Sequence, residues 1–136
     1  MKLSTRSRYG TRLMLDLARH SKDGPIRLSE IAKRQNISLK YLEQLIIPLK
    51  KANLIRSVRG PKGGHRLAKP PEDITVGEIV HVLEKGIDLT ACTLDPATCE
   101  RSESCKTRHL WDMATKAMYD KLNSITLSEV NGFDAE

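Results

Sequence analysis

The sequence predicts a mainly α-helical fold with one small β-hairpin wing and a long helix near the C-terminal end. Apolar residues recur with helical spacing over most of the chain. Two short β-like segments, at 54–58 and 65–68, flank a turn rich in glycine and proline, which is typical of a hairpin. The hairpin directly follows two helices separated by a tight turn. This combination predicts a winged helix-turn-helix followed by a long C-terminal dimerisation helix.

The first predicted helix spans 5–21, with Thr5 as its N-cap. A break at 23–25, with the sequence Asp-Gly-Pro, follows it. The apolar residues on one face of this helix are Tyr9, Leu13, Met14, Leu17 and Ala18. Since they share one face, we expect that face to pack into the core.

The next two helices form the predicted helix-turn-helix. A short helix begins at about Ser29 and ends near 35–36, and Ser38 then caps a longer helix that runs to about Lys51. Pro48 lies inside this second helix and is expected to distort its last turn or to end it early. Because the second helix carries basic and hydroxyl groups, it is the candidate recognition helix.

The chain is expected to divide into two functional parts. Residues 1–70 form the winged helix-turn-helix, and 71–136 carry the remaining elements. Within the second part, about 87–106 shows no periodicity and is predicted to be a sensor loop, and about 107–124 is predicted to be a dimerisation helix. Capping-box patterns at 75–78 and 126–129 predict one helix before the loop and a short terminal helix.

The last long helix carries an apolar stripe made of Leu110, Met113, Ala114, Ala117, Met118, Leu122 and Ile125. This stripe is larger than a chain of 136 residues is expected to bury alone. We therefore predict that two copies pair along it in a homodimer. The alternative is that the helix packs on the core of its own subunit.

Charge is divided unequally along the chain. The net charge is +6, but the first 70 residues carry +13 and the remaining 66 carry −7. A basic half is the electrostatic signature of a partner that carries phosphates, and double-stranded DNA is the expected partner. The alternative is that the basic side chains are merely solvated on a small helical core.

Composition excludes several classes of protein. With 39% hydrophobic and 29% charged residues, the chain is expected to be globular rather than disordered. No apolar run approaches the roughly 20 residues of a membrane span, and no apolar segment follows the basic N-terminus as in a secretory signal. We therefore expect a cytoplasmic protein without membrane association. No constellation of acid, base and nucleophile indicates an enzyme or a small-molecule substrate.

Three cysteines, Cys92, Cys99 and Cys105, lie within one short stretch with the spacing C-x6-C-x5-C. An odd number excludes complete internal disulfide pairing, and a reducing compartment keeps such thiols free. Thiolates are soft, charged ligands that bind iron–sulfur clusters and zinc. The cluster of cysteines thus indicates a metal or redox function.

The candidate DNA contacts lie on the second helix of the helix-turn-helix and at the hairpin tip. The exposed positions early in the helix are Ser38, Lys40, Tyr41 and Gln44, which can reach base edges or phosphates. At the tip, Arg59 and Lys62 accompany glycines that let the backbone approach a DNA strand. An arginine there can enter a narrow minor groove.

Several motifs in fixed order resemble those of the IscR and NsrR group of winged-helix regulators, the Rrf-type repressors that sense iron–sulfur status or nitric oxide. The motifs are LSTRSRYG at 3–10, SEIA at 29–32, ISLKYLEQL at 37–45, RGPKGGHRLA at 59–68, ITVGEI at 74–79, the three cysteines, and LW at 110–111. The resemblance covers almost the whole chain.

The resemblance implies a role for individual residues of the recognition helix. Ser38, Lys40 and Glu43 match positions that face bases, and Tyr41 and Gln44 lie beside them. The arginine at the hairpin tip matches the wing residue that probes the minor groove. Glu43 can accept a hydrogen bond from cytosine or reject other bases. Alternatively, it pairs with Lys40 or Lys50 on the helix surface.

The resemblance also implies a 2Fe–2S or 4Fe–4S cluster held by the three cysteines. The family commonly places five residues in each gap between them, whereas the first gap here has six. In members with a histidine ligand, that histidine occupies the position of Arg108, and His109 here lies one residue further. The fourth ligand is therefore open among His109, an acid such as Asp95, and a group from the partner subunit.

The sequence thus predicts a DNA-binding transcriptional regulator, interpreted as a repressor, whose DNA affinity is controlled by an iron–sulfur cluster. A homodimer would read a palindrome with half-sites about one helical turn (~34 Å) apart, or a multiple of it. The alternatives are a structural zinc ion or redox thiols on the same fold, or control by a partner protein.

Overall fold

The computed structural model of the chain describes residues 2–86, 89–90, 92 and 95–133. Its helices and strands are α1 (Thr5–Arg19), α2 (Leu28–Gln35), α3 (Leu39–Lys51), β1 (Ile55–Val58), β2 (Gly64–Leu67), α4 (Val76–Glu84), α5 (Lys106–Asn123) and α6 (Leu127–Asn131). Short 3-10 turns occur at Ser21–Asp23, Pro71–Asp73 and Pro96–Thr98. The predicted fold class is confirmed. Over the described ranges, every helix is too short or too polar to cross a membrane.

Hydroxyl side chains begin four of the helices. Ser38, Thr75 and Thr126 each accept a hydrogen bond from the backbone N–H three residues on, at 3.1, 3.1 and 3.2 Å. The prediction that Thr5 caps α1 is wrong, because Ser4 is the N-cap and accepts from the N–H of Ser7. Such caps satisfy backbone donors that have no partner within the helix.

The ends of two helices differ from the predicted ones. α1 ends at Arg19 rather than at 21, since the next residues tighten into a 3-10 turn. Pro48 does not end α3 early, because the helix continues to Lys51 and the Pro48 carbonyl accepts from the N–H of Ala52 at 3.0 Å. A proline removes one donor but keeps a helical φ, so this loss near the end of the helix is tolerated.

A single hydrophobic core joins both parts of the chain. Fully buried residues come from α1, α2 and α3, and the core extends beyond residue 70 to Ile74, Ile79, Leu83 and Leu127. The proposed division at residue 70 therefore stays a prediction about function. α4 and α6 therefore pack into the same core as the helix-turn-helix.

The chain returns to α4 after α5. The N–H of Val76 donates to the carbonyl of Ile125 at 2.8 Å, and the N–H of Leu127 donates to the carbonyl of Ile74 at 2.9 Å. These two bonds form a small antiparallel bridge between Thr75 and Thr126. The C-terminal end of α5 is consequently fixed to the start of α4 by backbone.

Candidate nucleic-acid interface and cysteine loop

The outer face of α3 carries four of the predicted DNA contacts, Ser38, Lys40, Glu43 and Gln44, all of them exposed. The opposite face packs into the core through Leu42, Leu45, Ile46 and Leu49. Because the core holds one face, the polar face has a fixed orientation. In the described part of the chain, no ion pair joins Glu43 to Lys40 or Lys50.

Tyr41 differs from its neighbours because it contacts α1. Its side chain is half-buried, and its hydroxyl lies 3.2 Å from the hydroxyl of Thr5. Its ring meets the ring of Tyr9 edge to face, with centroids 5.8 Å apart. Tyr41 therefore joins the recognition helix to α1, and its contact with DNA stays a prediction.

The wing is a two-stranded antiparallel hairpin with Ile55 opposite Leu67. Its turn is closed by a hydrogen bond from the N–H of Gly63 to the carbonyl of Gly60 at 2.9 Å. Gly60 has a φ of 112°, a conformation that other residues rarely adopt. This turn leaves Arg59 and Lys62 exposed at the tip.

A groove of about 410 Å³ separates α3 from the wing, and its lining includes Arg27, Glu43 and Ser57. His65 also borders it, with Nδ1 3.1 Å from the hydroxyl oxygen of Ser57. Burial, followed by the nearby charge of Lys50, lowers the pKa of His65. The imidazole is therefore neutral at neutral pH and adds no positive charge to the groove.

A buried carboxylate holds α1 against α2. Asp16, 1% exposed, accepts hydrogen bonds from Arg34 at 2.6 and 3.0 Å and from the Gln35 amide at 3.0 Å. Burial alone would raise the pKa of Asp16, but the hydrogen bonds from Arg34 and Gln35 outweigh it and lower that pKa. The ionised carboxylate thus orients the two helices in front of α3.

A second carboxylate joins the start of α1 to the end of α4. One oxygen of Glu84 accepts from the N–H of Ser4 at 3.0 Å, from the hydroxyl of Ser7 at 2.6 Å, and from the hydroxyl of Ser4. Burial opposes ionisation of Glu84, yet these bonds lower its pKa. α1 and α4 are therefore connected by three hydrogen bonds to one ionised carboxylate.

The three cysteines are free thiols in the segment before α5. Cys92 is half-buried with its sulfur 3.1 Å from the hydroxyl of Thr90, and Cys99 is exposed. Cys105 immediately precedes α5, and its sulfur lies 3.1 Å from the hydroxyl of Thr107. Among the residues that the structure describes, no three His, Cys, Asp or Glu side chains are grouped closely enough to hold a metal ion.

The chemistry of the donor set fits an iron–sulfur cluster, although the sulfurs do not converge in this arrangement. The hydrogen bond with the Thr107 hydroxyl, and then the backbone N–H of Arg108, lower the pKa of Cys105. Both effects favour the thiolate, which is the form that binds iron. All three thiols lie between α4 and α5 in the chain.

The candidate fourth ligands have different surroundings. Arg108 turns towards the loop and donates to the carbonyls of Cys92 at 3.1 Å and Ser102 at 3.3 Å. His109 is exposed on the next position of α5. A carboxylate oxygen of Asp95 accepts from the backbone N–H two residues on at 3.0 Å. A guanidinium therefore stands where the resemblance would place a histidine ligand.

The N-terminal part of the apolar stripe of α5 is exposed. Leu110 and Met113 of the stripe are 51% and 57% exposed, and the adjacent Trp111 is 39% exposed, whereas the last members of the stripe are half-buried. Thr115 is the one buried residue of α5, all of which the structure describes. Exposed apolar surface of this kind, grouped on one helix, is characteristic of an interaction face.

Comparison with known proteins identifies the family. Residues 3–131 match the sequence model of Rrf2, described as an iron-dependent transcriptional regulator. The chain belongs to the Rrf2 family. The match spans both the winged helix-turn-helix and the cysteine-bearing part, so the two parts belong to one family architecture.

Individual relatives agree with this family. The chain is 48% identical to protein rrf2 of Nitratidesulfovibrio vulgaris over 130 residues, which cover 96% of this chain and 87% of the relative. It is 44% identical to the HTH-type transcriptional regulator IscR of Photobacterium profundum, covering 96% and 75%. The structure of CymR, the global cysteine regulator of B. subtilis, superposes with a TM-score of 0.81 at 37% identity, covering 99% of each chain. This Rrf2-family chain is a DNA-binding transcriptional regulator and, as predicted, not an enzyme.

Two features of this Rrf2-family protein have no counterpart in the sequence prediction. A groove of about 370 Å³ beside Tyr41 and Gln44 is bordered by the basic residues Arg6, Lys51 and Lys85. Separately, a guanidinium nitrogen of Arg27 donates to a wing carbonyl at 2.9 Å. Both features join residues far apart in the chain, and only the general excess of basic residues in the first half pointed towards them.

Proposed function

We propose that this Rrf2-family regulator binds a palindromic DNA operator as a homodimer and represses transcription, with an affinity controlled by an iron–sulfur cluster. The observation that carries the proposal is the exposed polar face of α3 beside the exposed wing tip, within a half of the chain that carries +13. An α-helix fits the major groove of DNA, and a basic tip can reach the adjacent minor groove.

Each exposed residue of α3 has a chemically distinct role in this proposal. Lys40 and Gln44 donate to base edges or phosphates, and Ser38 lies at the helix N-terminus, where anionic groups bind favourably. Glu43 can accept only from a donor such as the cytosine amino group and therefore penalises other bases. Tyr41 acts from the edge of this surface, where it holds α3 against α1.

The DNA-binding proposal is tested with duplexes selected from a random-sequence library. Fluorescence anisotropy should show that Lys40→Ala and Arg59→Ala each weaken binding about tenfold. Wild-type affinity should fall steeply with salt, because phosphate contacts release counterions. Lys121→Ala, which removes an exposed lysine from α5, is the control. An equal loss in this control, or binding that does not respond to salt, would contradict the proposed surface.

The cluster would be held by Cys92, Cys99 and Cys105, with His109 as a tentative fourth ligand and Asp95 or a group from the partner subunit as alternatives. When bound, it would supply a centre that responds to iron supply, oxygen or nitric oxide. The protein's own contribution is positional. Cys105 is the N-cap residue of α5, so a displacement of its backbone would alter the start of that helix.

A continuous series of contacts leads from α5 to the recognition helix. The ring of Tyr119 meets the ring of His81 in α4 at 6.0 Å between centroids. Glu84 at the end of α4 accepts a hydrogen bond from Ser4. The residue after Ser4, Thr5 at the start of α1, contacts the hydroxyl of Tyr41 in α3. We infer that a change at the cysteine loop reaches α3 through these packed elements.

The cluster proposal is tested by anaerobic purification followed by visible spectroscopy and by iron and sulfide analysis. Wild-type protein should show absorption of an iron–sulfur chromophore, and Cys92→Ala should lose both the absorption and the iron. Removal of the iron from wild-type protein should change its DNA affinity. Zinc in place of iron, or a chromophore retained in Cys92→Ala, would contradict the assignment.

Control by the thiols themselves, or by a partner protein, is the second candidate. It is favoured by one observation, which is that Cys92 and Cys105 are each within reach of a threonine hydroxyl while the described residues gather no metal-ligand group. This candidate predicts iron-free protein whose DNA affinity responds to thiol oxidants, or to no small reagent at all. The same anisotropy measurements on anaerobic and oxidised samples separate the two.

A further inference from the structure

We propose that Arg27 is a positioning residue that sets the place of the wing tip relative to the recognition helix. The proposal rests on the proposed mode of DNA binding, in which α3 and the wing contact neighbouring grooves. The observation behind it is a hydrogen bond from Nη2 of Arg27 to the carbonyl of Pro61 in the wing turn, at 2.9 Å. These residues are 34 positions apart in the chain.

The base of the wing is already held by backbone. The N–H of Ile26 donates to the carbonyl of His65 at 2.9 Å, and the N–H of His65 donates back at 2.7 Å. A Cβ on Gly64 would lie within 2.6–2.8 Å of the Ile26 backbone, so the two segments are in close contact. Ile26, the residue before Arg27, thus forms an isolated antiparallel β-bridge with the second strand of the hairpin.

The tip of the wing has much weaker support. The turn is closed within itself by the bond from Gly63 to Gly60. In the described part of the chain, the bond from Arg27 is the only hydrogen bond that joins residues 59–63 to a residue outside the hairpin. Without it, the tip is free to move about the fixed base.

Arg27 belongs to the helix-turn-helix rather than to the wing. Its carbonyl accepts from the N–H of Glu30 at 3.1 Å and of Ile31 at 3.4 Å, and so begins α2. Ile31 is fully buried beneath α3. The side chain therefore holds the wing tip to the same rigid unit that carries the recognition helix. Because the spacing between neighbouring DNA grooves is set by the DNA, a displaced tip loses contact.

A direct contact between Arg27 and a phosphate is the competing interpretation, since the side chain is exposed beside the groove that includes Glu43. The two interpretations differ in salt dependence. Loss of a phosphate contact weakens binding and reduces the slope of log K against log salt by about 1, whether or not Arg59 is present. Loss of a positioning contact acts through Arg59, so it changes neither affinity nor slope once Arg59 has been removed.

The test is a double-mutant cycle that combines Arg27→Met with Arg59→Ala, measured by anisotropy on the selected duplex. Methionine keeps the apolar stem but removes the donor and the charge. We expect Arg27→Met to weaken binding about 3- to 10-fold in the wild-type background and less than about 2-fold in the Arg59→Ala background, where it should also leave the salt slope unchanged. Equal losses in both backgrounds, or no loss in either, would overturn the proposal.

Arg56→Met is the matched control. Arg56 is an exposed arginine of the same hairpin, but it borders a different depression together with Ser21 and Pro70. It should leave binding through the wing unchanged. A loss equal to that of Arg27→Met would show that general positive charge, rather than the bond to Pro61, is responsible.

Hydrogen exchange of the DNA-free protein separates this proposal from the proposed DNA-binding mode. Arg27→Met should speed exchange of the Gly63 amide, which closes the wing turn, and leave amides of the α1 core unchanged. If Arg59→Ala binds DNA like wild type, the proposed wing contact with DNA is wrong, but faster exchange at Gly63 in Arg27→Met still supports the positioning role of Arg27. If exchange at Gly63 is unchanged in Arg27→Met, the positioning role is overturned whatever the DNA result.

Discussion

The recognition helix α3 and the long helix α5 use their two faces in opposite ways. α3 has 13 residues and buries four apolar side chains, and its exposed residues are mostly polar, with Leu39 and Ile47 as the apolar exceptions. α5 has 18 residues and buries only Thr115, while Leu110 and Met113 are more than half exposed. One chain therefore covers most of the apolar residues of α3. It leaves Leu110 and Met113 of α5 largely exposed, and a second copy is the proposed cover.

Charge follows the same division. The half that contains α3 carries +13, and the half that contains α5 carries −7. The acidic excess of the second half lies outside α5, which itself carries four lysine or arginine residues and two aspartates. Since duplex DNA attracts the basic part of the chain, the charge of the first half favours the approach of that half to DNA.

The largest expected effect is on α5. Met113→Lys places a charge on the exposed apolar stripe and should convert the dimer to monomers, with a loss in DNA affinity of about 100-fold or more, because two linked heads become one. Sedimentation velocity and anisotropy measure the two effects. Asp112→Lys introduces the same side chain at an exposed polar position and should retain the dimer. A dimeric Met113→Lys protein would refute the proposed interface.

The next effect concerns the frame that holds α3. Asp16→Asn removes the buried charge that binds Arg34 and Gln35, and should lower the free energy of unfolding by about 2–3 kcal/mol, independently of protein concentration. Urea denaturation followed by circular dichroism measures it. Asp112→Asn, an exposed change, should cost less than about 0.5 kcal/mol. A loss that disappears at high protein concentration would instead place Asp16 at the interface.

The same carboxylate should make stability depend on acid pH. The folded state lowers the pKa of Asp16, so its contribution is complete above the unfolded pKa of about 3.9 and is lost as pH falls through the lower folded value. The free energy of unfolding, measured by denaturation at several pH values between about 5 and 2, should therefore depend less on pH for Asp16→Asn than for wild type. Glu84 titrates in the same direction and remains in both proteins. If the free energy of unfolding falls with pH equally in the two proteins, Asp16 is excluded as a source of the pH dependence.

The smallest effect separates capping from DNA contact. Ser38→Ala and Thr75→Ala each remove a hydroxyl that accepts the N–H three residues on, at 3.1 Å, and each should lower the free energy of unfolding by about 1 kcal/mol. Only Ser38→Ala should also weaken DNA binding, because Thr75 caps α4 rather than the recognition helix. Equal DNA affinity of the two variants would limit Ser38 to capping.

Local patterns in the sequence were sufficient for most elements of the fold. Apolar periodicity and capping residues predicted α3 with Ser38 as its cap, and the turn of glycines and proline predicted the wing. The errors concern choices between adjacent residues. Ser4 rather than Thr5 caps α1, and the terminal position of Pro48 lets α3 continue. Such details depend on backbone angles that no periodicity encodes.

The site was less predictable because its geometry depends on contacts between distant residues. The sequence identified the exposed positions of α3 and the wing tip as candidates. It could not show that Tyr41 is held by Thr5, nor that Arg27 reaches the carbonyl of Pro61. Likewise, the spacing of the cysteines indicated a shared site, whereas Arg108 binds the carbonyls of the loop in place of a ligand.

The backbone bridge between Thr75 and Thr126 gives α5 a pivot. One end of this helix is fixed to α4, and the other begins at Cys105, so a displacement at the cysteine end becomes a rotation. At 1.5 Å per residue, the helix is about 27 Å long, and a shift of about 2 Å at its N-terminal end tilts it by about 4°. In a symmetric pair, the α5 helices of both subunits would rotate together. The distance between the two recognition helices would then change by twice the movement of one.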